Sequence, residues 1–254
     1  MGLKGFDVSS WSHPGDKPID WEAVKDAGMR FVMVKVSQGL DYLSPFVSED
    51  AIEAHAHGLL VGLYHYAVPG KDDAVAQARF AAAHAVGLPL SLGIALDLET
   101  TGELQMFELA EWGQTFMRTI NEHGHHSPLY SDEWYLSQII GAPFGHRLWL
   151  ASPNLPELYR GPAPWMRQTA ESVELAGVPG VVDLDELCSL RGENAPGPVV
   201  PLPAEQAPES VAAAESPAGP DEPATTPAEV PDADTAGDPT RGTIEDAGSE
   251  GIPS

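Results

Sequence analysis

The sequence predicts an α/β barrel in which five βα units are followed by three β-strands. Two observations predict this fold class. Over residues 1 to 140, short apolar segments alternate with segments of helical spacing, which is typical of a parallel βα architecture. After Ile140 the helical spacing disappears, and three apolar segments remain, separated by proline and glycine. Eight strands are therefore expected, and they can close into a barrel.

The predicted strands are the short apolar runs, at 5–8, 31–36, 60–66, 92–98, 128–130, 147–151, 165–169 and 178–184. The predicted helices follow the first five strands, at 20–27, 45–57, 72–86, 103–122 and 132–140. Asp20 can cap the first helix, and a glycine follows each of the first four: Gly28, Gly58, Gly87 and Gly124. In a parallel barrel the chemistry lies at the C-terminal ends of the strands, so polar residues should converge there.

The most informative segment is 93–100, where two carboxylates stand two residues apart at the end of an apolar run. Because side chains alternate along a strand, Asp97 and Glu99 point the same way. Ala95 lies on their face and should leave room for a ligand below them. Three apolar side chains point to the opposite face, where helices can cover them: Ile94, Leu96 and Leu98.

Two neighbouring carboxylates repel each other, so one of this pair should hold its proton to a higher pH than a free glutamate does. Such a pair supplies both an acid and a base, as glycoside hydrolysis requires. A strand end that carries two solvated acids is the alternative, because an Asp-x-Glu tripeptide is common.

Composition divides the 254 residues unevenly. Residues 191–254 contain 13 acidic residues against two arginines, a net charge of −11, which leaves −14 for the first 190 residues. The same segment holds 12 of the 24 prolines and no Phe, Trp or Tyr, so it cannot build a core. We expect one catalytic domain at 1–190 and a disordered acidic tail or linker at 191–254. The overall charge of −25 argues against nucleic acids and anionic membranes as partners.

Cys188 is the only cysteine, which excludes an intramolecular disulfide and a cysteine-based zinc site. The first residues lack the apolar stretch of a signal peptide, and no run is long enough to span a membrane. Two groups of three histidines, at 55, 57 and 65 and at 123, 125 and 126, could be considered as metal ligands, but their spacing does not favour a metal site. His65 has the opposite strand parity to Tyr64 and Tyr66 and should pack outside the barrel.

Polar and aromatic residues gather at the predicted strand ends, and these are the candidate site residues: Asp7, Lys35, Tyr64, Tyr66, Asp97, Glu99, Tyr130, Trp149, Gln168 and Asp183. A cleft lined by acids and walled by aromatic rings suits a neutral sugar, whose apolar faces stack on the rings. Tyr64 is expected to contact substrate rather than only to pack. Lys35 either pairs with the acids or extends to the surface, and the sequence does not decide between these.

These segments together resemble the family 25 glycoside hydrolases, the Chalaropsis-type lysozymes. The resemblance covers residues 5 to about 187 and rests on short motifs in a shared order: Gly-Phe-Asp-Val-Ser with Trp11, Lys-Val-Ser-Gln-Gly at 35–39, Tyr-His-Tyr-Ala at 64–67, Leu-Asp-Leu-Glu at 96–99, Tyr130-Ser131, Leu-Trp-Leu-Ala at 148–151 and Val-Asp-Leu-Asp at 182–185.

The resemblance implies an irregular TIM-like barrel and a muramidase that hydrolyses the β-1,4 bond between N-acetylmuramic acid and N-acetylglucosamine. It implies that Glu99 is the proton donor and that Asp97 assists the acetamido group or steadies the charged intermediate. Asp7 and Asp183 match the two other acids of the family pattern. Tyr64, Tyr66, Tyr130, Trp149, Gln168 and Lys35 are then expected to bind the substrate. No cofactor or metal is implied.

The sequence departs from the family pattern at two places. Asp185 stands where Asn is usual, and Met-Arg-Gln at 166–168 replaces the more common Trp-Gln-Tyr, so the cleft wall near Gln168 is expected to differ. Trp149 matches the family's cleft segment, whereas Trp134 is expected to pack a helix against the barrel.

We expect bacterial peptidoglycan as the partner, and a monomer that does not insert into membranes. The absence of an export signal favours a phage-type endolysin, made in the host cytoplasm and acting on the wall after the membrane opens. A bacterial autolysin exported by another route is the nearest rival. Two other functions remain open, a glycan-binding module without turnover and a glycosidase acting on chitin-like N-acetylated polymers.

Overall fold

The computed structural model describes residues 2–132, 135, 147–151 and 164–188. The described strands are β1 (Leu3–Val8), β2 (Phe31–Gln38), β3 (Tyr42–Leu43), β4 (Leu60–Tyr66), β5 (Ile94–Asp97), β6 (Leu129–Asp132), β7 (Leu148–Ala151), β8 (Met166–Glu174) and β9 (Val181–Leu187). The described helices are α1 (Trp21–Asp26), α2 (Val47–Ala56), α3 (Ala74–His84) and α4 (Met106–Glu122), with a 3₁₀ turn at Ser10–Ser12.

Eight of the strands form a closed barrel. They pair in the order β1-β9-β8-β7-β6-β5-β4-β2, and β1 pairs with β2 to complete the ring. The pairs from β1 through β2, β4, β5, β6 and β7 to β8 are parallel, whereas β9 is antiparallel to both of its neighbours, β8 and β1. The predicted fold class, an α/β barrel of TIM-like type, is confirmed.

The structure differs from the sequence-based prediction in a few elements. The two-residue β3 pairs only with the end of β2 and was too short to predict. The last strand begins at Val181 rather than Val178 and runs antiparallel. Asp132 ends β6 instead of opening a helix, but its Oδ1 accepts a 2.8 Å hydrogen bond from the Tyr135 backbone, the contact of a helix N-cap. Most of the predicted fifth helix, Trp134 and the predicted tail at 191–254 lie outside the described residues.

The strand alternation separates two apolar clusters. Side chains on the outer face of the barrel pack against the helices, as predicted for Ile94, Leu96 and Leu98. Side chains on the inner face fill the barrel, including Phe31, Met33 and Ala95. The predicted space below the acid pair at Ala95 is therefore occupied by packed side chains, as in other barrels of this kind. Any ligand must approach from the open end.

His65 lies outside the barrel, as predicted, and joins the sheet to α3. Gln77 Nε2 donates to the Val68 carbonyl at 2.8 Å, which orients the Gln77 amide so that its Oε1 is the acceptor for His65 Nε2 at 2.9 Å. His65 Nδ1 consequently accepts the Ser37 hydroxyl proton at 2.8 Å. Burial lowers the pKa of His65 to about 4. The histidine is thus held neutral in a satisfied polar network.

Among the described helices, none has the length and apolar character needed to cross a bilayer.

Candidate active site

The carboxylates come together at the end of the barrel where the parallel strands finish. Asp7 lies in β1 directly opposite Asp183 in β9, and Asp97 is the last residue of β5. Asp183 was expected at a strand's C-terminal end. It lies instead near the beginning of β9, because an antiparallel strand starts where its neighbours finish. The two opposite strand directions therefore place Asp183 and Asp7 at the same end of the barrel.

Asp97 and Glu99 differ in how far their side chains are buried. Asp97 is only 5% exposed, whereas Glu99, two residues beyond, is exposed at the mouth. Burial raises the pKa of Asp97 well above its ordinary value, and the charge of Glu99 and a hydrogen bond shared with Glu99 raise it further. This direction agrees with the expectation that one member of the pair keeps its proton. The hydrogen bond between the two acids connects the proton on Asp97 to the exposed carboxyl of Glu99.

Lys35 is the buried cation beside this pair. Its side chain is inside the barrel end, since the residue is 5% exposed, so the surface-extended alternative does not apply. Lys35 Nζ donates a 3.0 Å hydrogen bond to Gln38 Oε1 and lies 5.4 Å from the Tyr66 ring centroid and 5.5 Å from that of Tyr42. Its positive charge acts on Asp97 and lowers the pKa of that carboxyl, opposing the effect of burial.

A bulge in β2 brings Gln38 to Lys35. The pairing of β2 with β4 shifts between Lys35 and Ser37, which inserts one extra residue. On a regular strand, residues three apart point to opposite faces, but the bulge restores Gln38 to the face of Lys35. Gln38 stands in the motif at 35–39 but was given no site role there, and Tyr42 was missed because it lies in β3, which is too short to predict.

Asp183 is held by polar contacts from β8. Gln168 Nε2 donates to Asp183 Oδ2 at 3.0 Å, and the backbone N–H of Ser172 donates to Oδ1 at 2.7 Å. The Tyr130 hydroxyl donates a longer bond, 3.4 Å, to Gln168 Oε1. Burial raises the pKa of Asp183 and the Ser172 bond lowers it, while burial followed by the charge of Asp183 raises the pKa of Asp7.

Three of the predicted aromatic residues, Tyr64, Tyr130 and Trp149, form a connected group beside the acids. The Trp149 ring makes edge contacts with Tyr130 at 4.6 Å and with Tyr64 at 6.2 Å between centroids. Tyr64 and Trp149 are buried, at 8% and 2% exposure, whereas Tyr66 and Tyr130 are half-buried. Tyr66 and Tyr130 therefore offer surface for a ligand, whereas Tyr64 and Trp149 lie inside the barrel, where Trp149 supports Tyr130.

Asp185 is a site residue that the sequence analysis treated only as a departure from a pattern. It is 2% exposed, and its Oδ1 accepts a 2.8 Å hydrogen bond from Trp149 Nε1. The signal that could have identified it is its spacing. Asp183 and Asp185 are two apart on one strand, as Asp97 and Glu99 are on theirs, so both point into the site.

Comparison with known proteins identifies this arrangement. The model of the family "Glycosyl hydrolases family 25" matches residues 6–166, more than half of the chain. The chain belongs to glycoside hydrolase family 25. Its match includes Asp7, Asp97 and Glu99 and ends at the start of β8.

Relatives of this family 25 chain include two bacterial lysozymes. Lysozyme M1 of Streptomyces globisporus is 35% identical over 86 residues, which is 34% of this chain and 28% of that protein. The autolytic lysozyme of Clostridium acetobutylicum is 26% identical over 190 residues, which is 72% of this chain and 55% of that protein. The chain thus spans between about a quarter and about half of the length of these two relatives.

The fold is shared with solved structures. The bacterial lysozyme of Streptomyces coelicolor superimposes with a TM-score of 0.62 at 23% identity, covering 74% of this chain and 93% of that chain. This family 25 member therefore has the barrel of that lysozyme.

Proposed function

We propose that the protein is a muramidase, which hydrolyses the β-1,4 bond between N-acetylmuramic acid and N-acetylglucosamine in bacterial peptidoglycan. The observation that carries the proposal is the Asp97–Glu99 pair, one acid buried and one exposed, joined by a hydrogen bond at the open end of a family 25 barrel. The two lysozyme relatives support the substrate class.

Glu99 is proposed as the proton donor because it is the exposed member of the pair. Bond cleavage requires a protonated group at the leaving oxygen and negative charge near the sugar carbon. Burial keeps the proton on Asp97, Lys35 opposes this effect, and the hydrogen bond between the two acids gives the proton a path from Asp97 to Glu99. Glu99 can then protonate the leaving oxygen while ionised Asp97 orients the acetamido group or steadies the positive charge.

The remaining groups are proposed to shape the site. Asp7 and Asp183 add negative charge beside Asp97, which stabilises a cationic transition state. Tyr66 and Tyr130 present half-buried rings to the sugar faces. Tyr64, Trp149, Gln168 and Lys35 are all buried, so they act by holding these groups in position.

The test is digestion of purified peptidoglycan followed by reduction of the new sugar ends with borohydride and mass spectrometry. Reduced muramic acid ends are expected. Reduced glucosamine ends would contradict the proposed bond, and cleavage of chitin oligomers at an equal or higher rate would favour the chitin-like substrate. Binding to peptidoglycan with no new ends would show a glycan-binding module instead.

The biological setting is a separate proposal. We propose a phage-type endolysin that stays in the host cytoplasm until the membrane opens. An autolysin is the second candidate, which the name of the Clostridium relative favours. Fractionation of expressing cells separates them: intact protein in the medium of unlysed cells supports the autolysin, and retention until lysis supports the endolysin.

A further inference from the structure

Three aspartates line one face of the ladder between β1 and β9. In that ladder Asp7 stands opposite Asp183, and Asp185 stands opposite Gly5. Residues two apart on a strand share a face, so Asp7, Asp183 and Asp185 all point into the carboxylate end of the barrel. Gly5 has no side chain, so the nearest β1 side chain on the face of Asp185 is that of Asp7.

Asp185 and Asp7 each have one buried carboxyl oxygen that receives no hydrogen bond from an N–H or O–H group of the described residues. Asp185 Oδ1 accepts from Trp149 Nε1, but Asp185 Oδ2 and Asp7 Oδ2 are both buried, and no N–H or O–H group of the described residues donates to either. The two carboxyls nevertheless share a side-chain hydrogen bond with each other. Two ionised carboxylates only accept, so such a bond requires a proton on one of them.

The surroundings place that proton on Asp185. Burial raises the pKa of both groups, and Asp185, at 2% exposure, lies deeper than the half-buried Asp7, so the neutral form is favoured more strongly at Asp185. The bond from Trp149 acts in the opposite direction and lowers the pKa of Asp185. Negative charge faces Asp185 from Asp7 on β1 and from Asp183 on its own strand. Tyr130 on β6 also lies within range of the Asp185 charge, and burial raises its pKa well above the ordinary value, so it stays neutral.

We propose that Asp185 is a positioning residue whose carboxyl carries a proton, accepts from Trp149 and donates to Asp7, and so fixes the indole and the Asp7 carboxylate together. The inference rests on the proposed function, since Asp7 is one of the acids assigned to that reaction. The chain of bonds from Trp149 through Asp185 to Asp7 links the aromatic group, including Tyr64 and Tyr130, to the acid cluster.

Loss of the proton from Asp185 would break the hydrogen bond between Asp185 and Asp7. Ionised Asp185 would still accept from Trp149, but it could no longer donate to Asp7, and the two negative charges would repel. Asparagine at this position can make both contacts, accepting through Oδ1 and donating through Nδ2, and it has no proton to lose. Alanine can make neither. Comparison of the two variants therefore separates the effect of donating a hydrogen bond to Asp7 from the effect of losing a proton at position 185.

The first measurement is a ¹³C NMR pH titration of the full chain labelled at the aspartate carboxyl carbon, with Asp185→Asn and the exposed control Asp26→Asn. At about pH 5, above the ordinary range for aspartate, one of the protonated carboxyl signals seen in the unaltered chain and in Asp26→Asn should be absent from Asp185→Asn. If no protonated signal disappears specifically in Asp185→Asn, the proposal is overturned. This readout does not depend on activity.

The second measurement is the pH profile of kcat and KM on peptidoglycan for Asp185→Asn and Asp185→Ala. Asp185→Ala should lower kcat by about 10- to 100-fold with KM changed less, because Asp7 loses its donor. Asp185→Asn should recover at least about tenfold of that loss and extend activity to higher pH. Equal rates and equal pH profiles for the two variants would overturn the proposal. If the unaltered chain cleaves nothing, the proposed function fails while the NMR result still decides the proton on Asp185.

Discussion

Ser131 Oγ donates a 2.6 Å hydrogen bond to the backbone carbonyl of Leu98, the residue between the two acids of the pair. The same segment is held by a second bond, because the Leu98 N–H donates to the Tyr130 carbonyl at 3.0 Å. β5 ends at Asp97, so these two bonds continue its pairing with β6 by one residue. β6 therefore holds the backbone of Leu98, which lies between the two acids.

Replacement of Ser131 tests this anchoring. Ser131→Ala removes the donor to a buried carbonyl, so it should lower the free energy of unfolding by about 1–3 kcal/mol and reduce kcat more than it changes KM. Ser127→Ala is the matched control. The Ser127 side chain is also buried, but its hydroxyl has no hydrogen-bond partner among the described residues, so stability should change by less than about 0.5 kcal/mol. Urea unfolding and steady-state kinetics check both, and equal effects would contradict the anchoring.

The charge of Lys35 should be visible in the pH profile. Lys35 lowers the pKa of Asp97, so Lys35→Met should raise that pKa. If Asp97 acts in its ionised form, the acid limb of kcat/KM then moves to higher pH. Lys71→Met, which removes an exposed lysine paired with Asp41, should leave the limb in place. An unmoved acid limb in Lys35→Met would contradict the role given to the buried cation.

His65 should make stability depend on pH. Its folded pKa is about 4 against 6.5 for the ordinary group, so the unfolded chain binds the proton more readily and stability is lost as pH falls from about 6.5 to about 4. A difference of about 2.5 pH units corresponds to about 3 kcal/mol. In His65→Gln the free energy of unfolding should vary less with pH over this range, by about 3 kcal/mol, although the variant is less stable than the unaltered chain at neutral pH.

The control for this prediction is His55→Gln, at an exposed histidine of α2. The buried aspartates have raised pKa values and act in the opposite direction, but they are common to all three proteins and cancel in the comparison. Denaturant unfolding at several pH values measures it. The same slope in His65→Gln as in His55→Gln would contradict the assignment.

Two glycines test the turn that leads into β5. Gly93 has a φ of 84°, and an added Cβ would lie 2.1 Å from the His126 carbonyl oxygen. Gly87 has a similar φ of 81°, but an added Cβ would meet nothing within 4 Å. Gly87→Ala should therefore cost about 1–2 kcal/mol from the left-handed backbone alone, and Gly93→Ala clearly more. Equal midpoints in urea would contradict the close approach.

Much of the fold was predictable because it follows from local patterns. Strand alternation alone predicted that Ile94, Leu96 and Leu98 face the helices and that Asp97 points to the inner face of the barrel. Asp20 caps α1 by accepting a hydrogen bond from the Ala23 N–H, as its position predicted. These features depend only on neighbours in sequence.

The features that were not predicted depend on long-range pairing. The direction of β9 is set by its two partner strands, so the sequence could not show that Asp183 lies at a strand's beginning. The bulge that brings Gln38 to Lys35 appears only in the pairing of β2 with β4. The Trp149–Asp185 bond joins residues 36 apart, on strands separated in the barrel by β8.

The proposed role of Glu99 as the proton donor in glycosidic cleavage can be tested directly by one comparison. The rate at which new reducing ends form on purified peptidoglycan is measured for the unaltered chain, Glu99→Gln and the control Glu103→Gln, which changes an exposed glutamate four residues along the same loop. Removal of a general acid should reduce the rate by about 10²- to 10⁴-fold in Glu99→Gln, with Glu103→Gln within about twofold of the unaltered chain. A Glu99→Gln rate within about threefold of the unaltered chain would contradict this role, because a glutamine cannot donate that proton.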